Sequence, residues 1–188
     1  MIKRVFIVHC WSGNPESYWY PWLKKELEIN GFKVNVLSMP NADEPKIRTW
    51  VNFLKKNVKN PDENTYFVGH SIGCQAILRY LETLEDNIKV NKCIFVAGWF
   101  SLMGLGKDEE KIAKPWITKK INFEKIKSKA KKFIAIFSDD DPYVPLLDTK
   151  KFEKELDAEV IIEHSKGHFD SETESKELPI ILEILLTK

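Results

Sequence analysis

The chain has 188 residues, of which 43% are hydrophobic and 30% charged, and its 29 Lys and Arg against 28 Asp and Glu leave a net charge of +1. That is the composition of a soluble globular protein, most simply one domain over residues 1–188 and long enough to bury roughly 70% of its unfolded surface. So small a charge draws the chain to neither nucleic acid nor a membrane surface, and no apolar run approaches the about 20 residues of a membrane helix.

Val5 to Val8 is a continuous apolar run, the pattern of a strand buried on both faces of a parallel sheet. The segment resembles a secretory leader only superficially, because His9, Ser12, Gly13 and Asn14 interrupt it early. Trp22 to Ile29 predicts an amphipathic helix stopped by Asn30-Gly31. Phe32 to Leu37 predicts a second strand. Lys46 to Val58 predicts a helix with Ile47, Trp50, Val51, Leu54 and Val58 on one face. Further strands are predicted at Thr65–Val68, Lys92–Ala97, Phe133–Phe137 and Val160–Ile162, with a last helix over Leu178 to Leu186. Strands separated by helices imply βαβ units, a parallel sheet and right-handed crossovers, the α/β class.

Residues 99–131 break this rhythm. The stretch is longer than a plain crossover and carries Trp99, Phe100, Leu102, Met103, Leu105 and Trp116. A connection this apolar reads either as a short lid-like insertion over a site or as a crossover helix with a decorated entry.

The chemistry-bearing motif is Gly69-His70-Ser71-Ile72-Gly73, directly after Tyr66-Phe67-Val68 and before a segment with Ile77, Leu78 and Leu81 at helical spacing. Strand, Gly-x-Ser-x-Gly and helix in that order define a nucleophile elbow, in which a tight turn exposes the serine hydroxyl. The alternative is a glycine-bounded turn with a solvent-facing serine. A serine nucleophile needs a base, and the base an orienting acid, following in the order Ser, Asp or Glu, His. After the fifth predicted strand comes Ser138-Asp139-Asp140-Asp141-Pro142, and after the sixth Gly167-His168-Phe169. Pro142 biases Asp141 to an extended backbone, which favours Asp141 over Asp139 or Asp140 as the acid. His168 is favoured over His164 as the base because it lies in a loop beyond the strand. His70 reads as a packing or hydrogen-bonding residue, and His9 as part of the site floor.

One oxyanion donor is expected from the amide of Ile72, the residue after the nucleophile. The other is expected from the loop after the first strand, at Trp11 or, failing that, Cys10. The expected substrate pocket is lined by His9, Cys10, Trp99, Phe100 and Trp116. A Cys10 nucleophile is the rival reading. Cys10, Cys74 and Cys93 show no CxxC spacing and no even set, which fits a reducing cytoplasm. Four histidines without a ligand cluster give no metal site, and no cofactor is expected.

Taken together, these stretches resemble the small serine hydrolases of the YdeN and retinoblastoma-binding-protein-nine type, a compact branch of the α/β-hydrolases. The resemblance spans nearly the whole chain. It includes Ser17 to Leu27, Leu37-Ser38-Met39-Pro40 with Trp50 downstream, Asp140 to Pro145, and Gly167-His168-Phe169. It departs at His9-Cys10-Trp11-Ser12-Gly13, where relatives can be glycine-rich. The resemblance implies a three-layer sandwich around a six-stranded parallel sheet, and Ser71, Asp141 and His168 as the triad.

The function expected is a carboxylesterase-like hydrolase working through an acyl-enzyme on a small-molecule acyl substrate. The alternative is a protein-interaction module on a hydrolase fold, and a protein partner stays open. Between Lys107 and Lys132 stand 10 Lys against Asp108, Glu109, Glu110 and Glu124. Such a run usually marks a solvated helix face. The sharper reading is a rim that gathers anionic substrates over a pocket of Trp11, Trp99, Phe100 and Trp116.

Overall fold

Six parallel strands make one sheet: β1 (Arg4–Val8), β2 (Lys33–Leu37), β3 (Thr65–His70), β4 (Val90–Val96), β5 (Ala130–Ser138) and β6 (Glu159–Glu163), in the order β2-β1-β3-β4-β5-β6. They belong to a computed structural model that describes residues 2–171 and 175–187. The central strands are the continuous apolar runs of the sequence, and every residue of β3 is buried. The edge strands β2 and β6 keep one side wet, so their apolar signal is weaker.

Among the described residues, six α-helices lie between the strands and a seventh follows the last: α1 (Tyr20–Ile29), α2 (Ile47–Asn57), α3 (Ile72–Leu81), α4 (Lys107–Thr118), α5 (Phe123–Lys127), α6 (Thr149–Leu156) and α7 (Pro179–Leu186). The β1-to-β2 crossover runs one way along the sheet, and those after β2 run the other. With right-handed crossovers this puts α1 on one face and α2 and α3 on the opposite one. The contacts agree, α1 packing on α7 and α2 on α3. The result is the three-layer α/β sandwich of an α/β-hydrolase. The direction of winding reverses between β1 and β3, and there the carboxyl ends of the strands open a crevice of the kind that holds ligands in α/β sheets.

The predicted face of α2 is buried at Trp50, Val51 and Leu54. Several boundaries and one element differ from the sequence reading. Helix α1 starts two residues earlier, with Pro21 in its first turn, where a missing N–H costs nothing. Strands β4 and β5 reach back to Val90 and Ala130, and β5 absorbs the exposed Lys131 and Lys132. Helix α6 was not anticipated, because only Phe152 and Leu156 of its eight residues are buried, too few to display a period. Between β4 and β5 the chain runs through α4 and α5, which occupy the long apolar connection. Cys10, Cys74 and Cys93 are buried and unbridged. Among the described residues no helix is long and apolar enough to cross a membrane.

Candidate active site

The elbow is a steric construction. Ser71 stands between β3 and α3 at φ 53, ψ −118, a conformation that costs a non-glycine residue about 1–3 kcal/mol. The surroundings hold it there: its N–H donates to the Val96 carbonyl at 2.8 Å, and its carbonyl accepts from Cys74 N–H at 3.0 Å. The flanking glycines are required by close approach. A Cβ on Gly69 would lie 2.8 Å from the Cys74 nitrogen, and one on Gly73 would overlap the Val8 carbonyl oxygen. Helix α3 can therefore start against the end of β1 only without side chains at these positions.

The aspartates of 139–141 take three different partners. Asp139 accepts from His164 Nδ1 at 2.6 Å and from Ser165 N–H at 2.9 Å. The His164 hydrogen bond holds the Asp139 carboxyl below its ordinary value, and the carboxylate in turn raises His164. Asp140 accepts from the Ser138 hydroxyl at 2.6 Å and from the N–H of Gly167 at 2.8 Å, where φ is +54. Asp141 is buried. Its Oδ1 accepts from the amides of Tyr143 and Val144, leaving Oδ2 to accept from His168 Nδ1–H at 2.8 Å. His168 Nε2 then faces Ser71 Oγ at 2.9 Å. The rival residues His164 and Asp139 pair with each other, but only the buried His168–Asp141 pair reaches the serine.

A second buried chain supports the first. The Cys10 amide donates to Tyr20 OH at 3.1 Å, Tyr20 O–H donates to His70 Nδ1 at 2.6 Å, and His70 Nε2–H donates to the His168 carbonyl at 2.7 Å. Burial, with the neighbouring His168 ring second, pushes His70 down to about 3, so its ring stays neutral as this tautomer requires. The chain ties the first loop, α1, the elbow and the histidine loop together.

The amides of the first loop differ in their partners. The amides of Cys10, Ser12 and Gly13 are spent on Tyr20 OH, the Ala42 carbonyl and the Cys10 carbonyl. Among the described residues, the Trp11 amide has no such partner. Ile72 is the first residue of α3, so its N–H has no carbonyl one turn earlier to bond. The Cys10 thiol, meanwhile, is pushed up to about 11 by burial. It stays protonated at neutral pH, which removes it as a nucleophile.

A cavity of about 380 Å³ opens on the serine and is lined by Ser71, His168, Cys10, Trp11, Trp99 and Tyr143 together with aliphatic and acidic side chains. Three expected pocket residues are elsewhere. His9 is fully buried, with Nδ1–H donating to the Cys10 carbonyl, Nε2 accepting from Met39 N–H, and its ring edge-on to Trp50. Phe100 and Trp116 line a separate cavity with Lys119, Lys120 and Lys151. Phe100 packs on Phe123 and Phe152, and Trp116 is pinned by its indole N–H to the Pro45 carbonyl.

The anionic-substrate rim is also corrected. The cavity wall carries Asp43, Asp108, Glu109 and Asp170, and among the described residues no Lys or Arg lines it. Lys129, Lys131 and Lys132 sit around the start of β5, at the opposite end of the sheet from the site, and pair with Asp86, Glu63 and Glu159. Sequence reasoning missed the acidic wall because its members come from two separate loops and the first turn of α4. Among the described residues no cluster of His, Cys, Asp or Glu is placed to hold a metal ion.

A parallel six-stranded sheet with a strained serine at its switch point, in hydrogen-bond contact with a buried His–Asp pair, defines an α/β-hydrolase. The chain belongs to the serine hydrolase family, whose model matches residues 5–187. It is 34% identical to the hydrolase YdeN of Bacillus subtilis over 98% of this chain and 95% of that one. It is 32% identical to the serine hydrolase RBBP9 of Rattus norvegicus over 98% and 96%. The crystal structure of the Bacillus subtilis ydeN product superposes with a TM-score of 0.89, at 33% identity, covering 97% of this chain and 96% of that one. Est1E from Butyrivibrio proteoclasticus shares the fold, with a TM-score of 0.70 at 16% identity over 99% and 89% of the two chains.

Proposed function

We propose that this serine hydrolase cleaves small esters through an acyl-enzyme, with Ser71 as nucleophile, His168 as general base and acid, and Asp141 as orienter. The observation that carries the reading is the continuous chain Asp141 Oδ2–His168–Ser71 Oγ, at 2.8 and 2.9 Å. Asp141 holds the tautomer in which Nε2 accepts the serine proton. As Oγ attacks, that proton moves to Nε2, the Oγ–C bond forms, and the carbonyl electron pair moves to its oxygen. The Ile72 and Trp11 amides receive the oxyanion, a donor pair of the kind that lowers such barriers most. His168 then protonates the leaving alcohol. Water repeats the sequence with the same base, and Ser71 is regenerated.

Segment 99–131 serves as the lid. Leu102, Leu105 and Ile112 supply its apolar contact with the cavity, and Asp108 and Glu109 its charge. A space of about 380 Å³ suits a short acyl group, and the acidic wall favours neutral or cationic esters over anionic ones. The test is hydrolysis of p-nitrophenyl acetate, butyrate and octanoate by the wild type and Ser71→Ala. Turnover of the short esters that vanishes in Ser71→Ala is expected. A wild type inert to all three would leave a binding module on a hydrolase fold.

A further inference from the structure

We propose that Trp99 is a catalytic residue whose indole N–H donates to the nucleophile oxygen, aiming the serine proton at His168 and stabilising charge on Oγ. The inference rests on Ser71 being the nucleophile. Trp99 follows β4, is 1% exposed, and places Nε1 3.3 Å from Ser71 Oγ. An indole nitrogen only donates, and a hydroxyl has one proton and two lone pairs. The direction of the bond is therefore fixed. With Trp99 donating, Ser71 Oγ has one lone pair filled, and its proton is left to point at His168 Nε2, 2.9 Å away. The remaining lone pair is free for the cavity that Ser71 and Trp99 both line.

The same bond strengthens during reaction. In attack, the proton leaves Oγ for Nε2 while the Oγ–C bond forms, and Oγ carries negative charge in between. In deacylation the Oγ–C bond breaks, its electron pair returns to Oγ, and the proton comes back from Nε2. A hydrogen bond to a charged acceptor is about twice as strong as one to a neutral acceptor. Trp99 thus stabilises both transition states more than the resting hydroxyl, which is what accelerates a step.

The backbone around Trp99 is clamped on both sides by buried polar side chains. Its carbonyl accepts from the Gln75 side-chain amide of α3, and the Gln75 side-chain oxygen accepts from the Arg79 guanidinium. Arg79 also donates to the Trp116 and Lys119 carbonyls at 2.7 and 3.0 Å, anchoring the end of α4. On the other side the buried Asp148 carboxylate accepts from the amides of Phe100 and Ser101 at 2.5 and 2.8 Å. Buried polar groups are costly unless fully partnered. For Gln75 and Asp148 the partners include the main chain that carries the indole, which is the arrangement of a preorganised donor.

Two variants remove the N–H. Trp99→Phe keeps an aromatic ring, and 3-benzothienylalanine incorporated at position 99 alone replaces N–H by sulfur with the ring shape kept, so folding is preserved. The readouts are kcat and KM on p-nitrophenyl acetate and the rate of labelling by a fluorophosphonate. Both variants are expected to lose about tenfold in kcat and in labelling rate, with KM unchanged. Wild-type kcat and labelling rate in the benzothienyl variant, or a rise in KM alone, would overturn the proposal and leave Trp99 a cavity wall. Ser71→Ala runs alongside. If it is inactive while the Trp99 variants behave as wild type, only the Trp99 proposal falls. If it retains turnover, the nucleophile assignment falls and the proposal with it.

Discussion

Acid should destabilise this protein through His70, and the amount follows from its surroundings. His70 is fully buried between Tyr20 OH and the His168 carbonyl, and its folded value is pushed from 6.5 to about 3. Between those values the unfolded chain binds a proton that the folded chain refuses, so stability rises with pH there and falls as pH is lowered from 6.5. The slope tends to about 1.4 kcal/mol per pH unit for one proton. Integrated from pH 7.5 to 4.5, the loss from His70 is on the order of 3 kcal/mol. His9, also lowered by burial, adds in the same direction, so the wild type alone does not isolate the effect. The perturbation is His70→Gln, which keeps a donor and an acceptor but does not titrate. The assay is urea unfolding of both proteins at pH 7.5, 6.0, 5.0 and 4.5. At pH 7.5 the variant is less stable, because Gln fits the Tyr20 and His168 groups imperfectly. The gap should narrow by roughly 3 kcal/mol by pH 4.5. A gap that stays constant across this range would refute the buried neutral His70 and the tautomer assigned to the Cys10–Tyr20–His70–His168 chain.

Asp141→Asn and His168→Ala should each lower kcat on p-nitrophenyl acetate by about 10⁴-fold or more. Asp139→Asn and His164→Ala, which alter the exposed pair, should change it by less than about threefold, and a larger loss in His164→Ala than in His168→Ala would reverse the assignment. Gly73→Ala should destabilise by about 1–3 kcal/mol or more in urea unfolding, because the clash is with the Val8 backbone, which has no rotamer to relax. Among acetate esters matched in size, kcat/KM at low salt should be lowest for an anionic leaving group, and its deficit should shrink as screening reaches about 8 Å at physiological ionic strength. An anionic ester preferred at low salt would contradict the acidic wall.

What could be read in the sequence is what local sterics and chain order dictate. Gly69 and Gly73 mark the elbow because neither position tolerates a Cβ, Gly69 against the start of α3 and Gly73 against the end of β1. Ser71, Asp141 and His168 follow one another in chain order after β3, β5 and β6, and Pro142 already separated Asp141 from its two neighbours. What could not be read is direction. Trp99 and Phe100 are adjacent and look equivalent as letters, yet one lines the serine cavity and the other packs on Phe152. Trp116 reads as pocket from composition, but its N–H is taken by Pro45 and its ring by Trp50. His9 follows β1 and reads as site floor, yet both its ring nitrogens are consumed by the backbone. The lysine run suggested a positive rim because one-dimensional charge counting ignores which end of the sheet each residue reaches. Asp43 and Asp170 stand 127 positions apart, and only the assembled loops bring them to one wall.

The central claim is that Ser71 is the activated nucleophile of the chain. The direct measurement is reaction of the wild type with a fluorophosphonate, intact mass to count the adducts, and peptide mapping to place them. One adduct per chain is predicted, on the peptide containing Gly69 to Gly73 and at Ser71, with labelling lost in Ser71→Ala and sharply slowed in His168→Ala. An adduct on another residue, or labelling that survives Ser71→Ala, would contradict the account.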